Sequence, residues 1–80
     1  MADVIVDELS IITGAAAEYV ESGRITGRIL LHRRILRDIK ERLKRGDDTA
    51  IKELARLRRI SSERGIPIEI VEEETASDPY

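Results

Sequence analysis

The stretch from Val4 to Gly23, VIVDELSIITGAAAEYVESG, constrains the fold more than any other part of the chain. Val4-Ile5-Val6 is a continuous apolar run, the pattern of a strand buried on both faces of a parallel sheet. Helix formers gather from Gly14 to Glu21, and Gly23 is placed to take the left-handed conformation that follows a helix. Asp7 to Thr13 reads as the strand-to-helix turn, with the helix free to begin anywhere from Leu9 onward. In open α/β sheets, ligands collect beyond the carboxyl ends of the strands. Asp7 stands there and is the first candidate site residue. Its other available role is to cap the following helix.

Arg28 to Leu31 is a second short strand, and a helix follows from about Arg33 to Arg45. Its apolar residues Ile35, Leu36, Ile39 and Leu43 share one face of a 3.6-residue period, while Arg33, Arg34, Arg37, Lys40 and Lys44 occupy the others. Gly46 ends it. Asp47 or Asp48 can cap the next helix, Thr49 to Glu63, which turns Ile51, Leu54, Leu57 and Ile60 inward. Ile66 to Val71 is a third strand, with Pro67 tolerable near its start. The order β-α-β-α-α-β predicts an α/β fold, three-layered around a short parallel three-stranded sheet. The domain spans 1–71, and residues 72–80 (EEETASDPY) form an acidic disordered tail.

Eighty residues without Phe or Trp must build their core from Ile, Leu, Val and Ala. A small aliphatic core of this kind favours oligomerisation. The absence of cysteine excludes disulfides and thiolate metal sites. No apolar run approaches the ~20 residues that span a bilayer, and no secretory signal opens the chain, so a cytoplasmic protein is expected. With no Asn or Gln and eleven Arg against three Lys, the composition resembles that of a thermophile.

A net charge of −2 conceals a strong asymmetry. Residues 1–23 hold five acids and no base, and residues 65–80 the same. Residues 24–64 hold all fourteen bases and six acids, a local net of +8. Such a middle segment can attract a polyanion, RNA or DNA, or it can pair with the acidic ends of this chain or of a neighbouring subunit. The arginines lack aromatic neighbours on which bases could stack, which disfavours sequence-specific single-strand recognition. One histidine, His32, has no partner at zinc-ligand spacing. Gly23, Gly27, Gly46 and Gly65 punctuate elements and form no phosphate loop.

VIVDELSIITGAAAEYVESG followed by GRILLHRRILRDIKERLKRG resembles the first half of a PIN domain, of the type fused to archaeal ATPases. The resemblance is unbroken from about Val4 to Gly46 and looser to Val71. PIN domains are typically ribonucleases in which three or four carboxylates hold Mg²⁺ or Mn²⁺. The resemblance places Asp7 at the first acid and Asp38, on the helix after the second strand, at the second. Hard cations want such oxygen ligands, and a bound metal can activate water for attack on phosphate. The chain departs from the family at Glu8 and Leu9, where hydroxyl residues are usual, at Thr13 and at His32. The family's third acid, on a later strand, has no counterpart.

Three readings follow. In the first, the chain is a PIN-like half-domain of ribonuclease ancestry, inactive alone or active on assembly. Asp7 and Asp38 would then hold Mg or Mn, and Arg33, Arg34, Arg37 and Lys40 an RNA backbone. In the second, it is a non-catalytic oligomerisation module. Later strands of a PIN domain pair beside the first, so here Val4–Val6 is left as an exposed apolar edge, and such edges are usually covered. Homo-oligomers through that edge are expected. In the third, the basic helices bind nucleic acid without sequence preference. For Asp38, ion pairs to Arg34 and Arg42, each four residues away, are the alternative to a site role.

Overall fold

Between the first strand and Gly23 the chain makes two helices where one is expected. In the computed structural model, which describes residues 3–72, strand β1 (Val4–Val6) runs directly into α1 (Glu8–Ile12) and then α2 (Ala15–Glu21). Asp7 is responsible for the early start. Its carboxylate accepts the Ser10 N–H at 2.8 Å, and its own N–H donates to Ser10 Oγ at 3.2 Å. This reciprocal capping box satisfies amide groups that a new helix leaves bare. Gly14, at φ +84°, then breaks the helix and starts the next. The segment 7–13 is therefore mostly helix, and the element order is β-α-α-β-α-α-β.

Strand β2 (Ile29–His32) passes into α3 (Arg33–Lys44), and α4 (Thr49–Glu63) leads to β3 (Ile68–Val71). Strand β3 begins two residues later than the sequence suggests. Pro67 has no N–H to donate, and joins the ladder only by accepting the Ile29 N–H at 2.9 Å.

The strands pair in parallel in the order β1-β2-β3, with Val4 opposite Ile29, Val6 opposite Leu31, and Leu31 opposite Ile70. The α/β class with a short parallel three-stranded sheet is as the sequence implies. Because the strand order advances in one direction, right-handed crossovers carry both helix pairs onto the same face. Accordingly α1, α2 and α3 all pack on α4. Val6, Ile29 and Leu31 point into this side and are buried with Ile11, Val20, Ile39 and Leu57.

The described residues thus fill two of the three expected layers and leave the third open. Ile5 alternates to the bare face and is 66% exposed. Hence the apolar run Val4–Val6 is buried on one face and not on both. The apolar stripe of α3 is drawn inward over Ile35 and Ile39, with Leu36 half-buried, whereas Leu43 in the last turn is exposed. The half-buried Ile51 packs against the core edge. Of the acidic tail expected at 72–80, Glu72 is described and residues 73–80 lie outside the described residues. Among the described residues no helix is long and apolar enough to cross a membrane.

Candidate functional site

Asp7 lies at the carboxyl end of β1, where the sequence puts it, but its carboxylate is turned onto its own backbone. The Ser10 N–H, and after it the Ser10 hydroxyl, hold the Asp7 carboxyl below its usual range. Stabilisation of the ionised form by donors at a helix start is the ordinary effect of a cap.

Asp38 projects from α3 into an open cleft of about 340 Å³, lined also by Glu8, Glu41, Arg42, Arg45 and Asp47. Asp7 is not among the lining residues. The two acids that the resemblance pairs do not share this cleft, and Glu8 occupies its β1 side. Among the described residues, no three His, Cys, Asp or Glu side chains are grouped so as to hold a metal ion.

The centre of the cleft is an arginine. Arg42 Nε donates to Glu8 Oε2 at 2.6 Å, and Nη1 to Asp47 Oδ2 at 3.2 Å. These two carboxylates push the Arg42 pKa up. The Asp47 carboxyl is held low, first by the Thr49 N–H at 3.1 Å and then by Arg42. Asp47 therefore satisfies the start of α4 from one residue before the cap position, and Asp48 makes no side-chain cap bond. Sequence reasoning offers Arg42 to Asp38 at helical spacing, yet the guanidinium goes to Glu8 and Asp47. Glu8 is 34 residues away in sequence, and no local spacing signals it.

Of the residues expected to hold an RNA backbone, Arg33, Arg34, Arg37 and Lys40 are all exposed on α3. Arg33 Nη2 meets Glu72 Oε2 at 2.6 Å. Other bases are also taken up by the chain's own acids. On the bare sheet face Arg28 reaches Asp3 at 2.6 Å and Glu69 at 2.9 Å, tying all three strands together. Arg56 of α4 reaches Glu53 at 3.2 Å and Glu21 of α2 at 3.9 Å. Much of the charge asymmetry along the sequence is thus neutralised within the fold.

The remaining feature is the outer edge of β1. Val4 donates its N–H to Arg28 at 2.8 Å, so the alternating backbone turns the N–H and C=O of Ile5 away from β2. No described strand pairs on that side. Beside it runs an apolar groove of about 230 Å³ whose lining includes Val4, Ile5, Val6, Ala16, Tyr19 and Ile25. Tyr19 is half-exposed, and Arg24 lies 5.6 Å from its ring centroid.

No family model and no curated protein matches the chain. A solved structure that it resembles is a domain of a functionally unknown protein from Methanocaldococcus jannaschii DSM 2661, at 23% identity and a TM-score of 0.85. The similarity covers 99% of this chain and 56% of that one. At that identity the likeness establishes the fold alone.

Proposed function

We propose that the protein is a small interaction module that self-associates through the open edge of β1. One observation carries this reading: β1 is an apolar edge strand whose outer backbone groups meet no other strand among the described residues, and Ile5 upon it is 66% exposed. Exposed apolar edges are templates for strand pairing, and proteins that keep them in solution use them or cover them. An aliphatic core built without Phe or Trp adds a second reason to associate.

On this reading the PIN-like features are ancestry. Asp7 serves as a helix cap and Asp38 lines a cleft centred on an arginine, so ribonuclease chemistry with Mg or Mn would need carboxylates supplied by another chain. Light scattering at micromolar concentration tests the assembly. A mass at least twice the 9.1 kDa of the chain is expected, and a strictly monomeric mass overturns the proposal.

A second reading is favoured by exposed Arg37 and Lys40, which with Arg33 lie along one face of α3. They would grip a nucleic-acid backbone through phosphate contacts, with affinity falling steeply as salt rises. RNA binding that is indifferent to salt removes this reading.

A further inference from the structure

Strand β3 ends beside the start of the most basic helix, α3. In the parallel register His32 lies opposite Val71, so the residues that follow the two strands, Arg33 and Glu72, emerge side by side. Arg33 grips the Glu72 carboxylate from Nε at 2.8 Å and from Nη2 at 2.6 Å. Arg37 and Lys40 continue the same face of α3, exposed and without an ion pair among the described residues. Left bare, this face is electrostatically unfavourable. Arg33 and Arg37 repel at four-residue spacing. The first turn of α3 holds no acid, and its cap residue His32 makes no side-chain cap bond, so little in the helix itself offsets its positive end. Past Glu72 the chain continues with Glu73, Glu74 and Asp78 and no base.

We propose that the acidic segment 73–80, which lies outside the described residues, docks along the Arg33–Arg37–Lys40 face of α3 in its own molecule. Three arguments favour that face over the other exposed cations, such as Arg58 and Arg59 of α4. First, the Arg33–Glu72 pair delivers the segment to the start of the face. Second, the reach is sufficient. Asp78 stands six positions beyond Glu72, and an extended chain covers about 3.4 Å per residue, roughly 20 Å in all. Lys40 lies only about 10 Å from Arg33 along the helix axis. Third, the charges are complementary and tethered. A single exposed ion pair contributes little, but carboxylates held on one short tether meet the face at high effective concentration. Docked there, they stand where the second reading above puts phosphates, and a nucleic acid must displace them to bind. That regulatory consequence rests on the nucleic-acid reading; the contact itself does not.

The test separates the two. The chain has no cysteine, so Ser77→Cys carries a single nitroxide label in the full-length protein. At low salt the label is expected to broaden the amide NMR signals of Arg33 to Lys40, and at 1 M salt the broadening is expected to fade. Broadening that is absent from α3, that centres on Arg58 and Arg59, or that ignores salt overturns the docking. Broadening that passes from labelled to unlabelled copies in a mixture assigns the contact to a neighbouring subunit and overturns its intramolecular form. The second arm measures affinity for oligouridylate at low salt. The triple variant Glu72→Gln, Glu73→Gln, Glu74→Gln is expected to bind several-fold more tightly than wild type. Glu18→Gln, Glu21→Gln, Glu63→Gln, an equal change of charge on α2 and α4, is expected to gain much less. Equal gains overturn the competition. If none of the three proteins binds, the nucleic-acid reading falls with the competition, and the docking is decided by the label alone.

Discussion

Arg42 Nε donates to Glu8 Oε2 at 2.6 Å, joining the late turns of α3 to the first residue of α1. The same guanidinium holds Asp47 in the loop before α4, so one side chain ties three segments. Arg45 lines the same cleft but has neither of these bonds. Exposed pairs contribute little individually, and a bridging arginine contributes more than a lone one. Arg42→Ala is expected to lower Tm by a few degrees and Arg45→Ala to leave it nearly unchanged. Thermal melts followed by circular dichroism check this. Raising the salt should narrow the gap between the two.

Asp7 separates a capping role from a metal-binding role. Asn caps a helix as well as Asp does, but lacks the charge a divalent cation needs. Asp7→Asn should melt within a degree or two of wild type, and Asp7→Ala should lose on the order of 5 °C. If Asn and Ala are equally destabilising, the cap is not the residue's main contribution.

Acid should unfold the protein through a small set of carboxylates. Arg28 holds Asp3 low, Ser10 holds Asp7 low, Thr49 and then Arg42 hold Asp47 low, and Arg33 holds Glu72 low. A carboxyl depressed in the folded state takes up its proton more readily when unfolded. Its contribution is therefore complete above the unfolded pKa of about 4 and is lost as pH falls through the lower folded value. Urea midpoints should be level in this respect from about pH 5 to 7 and decline below about pH 4. Removing Asp3, Asp7, Asp47 and Glu72 together should flatten that decline.

Gly14 is held at φ +84°, and a Cβ there would sit 3.3 Å from Arg56 Nη1 and 3.4 Å from Glu53 Oε1. Gly23 has a similar φ of +80° with open space around it. Gly23→Ala should cost about 1 kcal/mol, the ordinary penalty of a left-handed alanine. Gly14→Ala should cost more, roughly 2 kcal/mol, because it adds a displaced ion pair to that penalty. Chemical denaturation of the two variants side by side gives the difference.

Ser61 faces the core from α4 with 1% of its surface exposed, and its Oγ has no hydrogen-bond partner among the described residues. A buried hydroxyl without a hydrogen bond costs about 1–3 kcal/mol. Ser61→Ala removes that cost and adds helix propensity, so a gain of about 1 kcal/mol is expected. A loss of stability on equilibrium unfolding would show that the hydroxyl is satisfied.

How much of this could be read beforehand varies with how local the cause is. Helix α4 was legible from end to end, because its period, its acidic start and its glycine stop all lie within one stretch. Helix α1 starts one residue before the earliest position the sequence suggests, because the Asp7–Ser10 capping box closes a helix in what otherwise reads as a turn. The cleft was half legible. Asp38 could be placed on α3 by period, but Glu8 arrives from 34 residues away and no spacing announces it.

By itself, the sequence determined the short apolar strands, the amphipathic helices between them and the glycines that divide them. Those are consequences of side-chain period and backbone freedom within a few residues. Tertiary structure alone decided that both helix pairs share one face and that Ile5 is therefore left in solvent. Both depend on the direction in which successive strands step across the sheet. Neither is encoded at any fixed spacing along the chain.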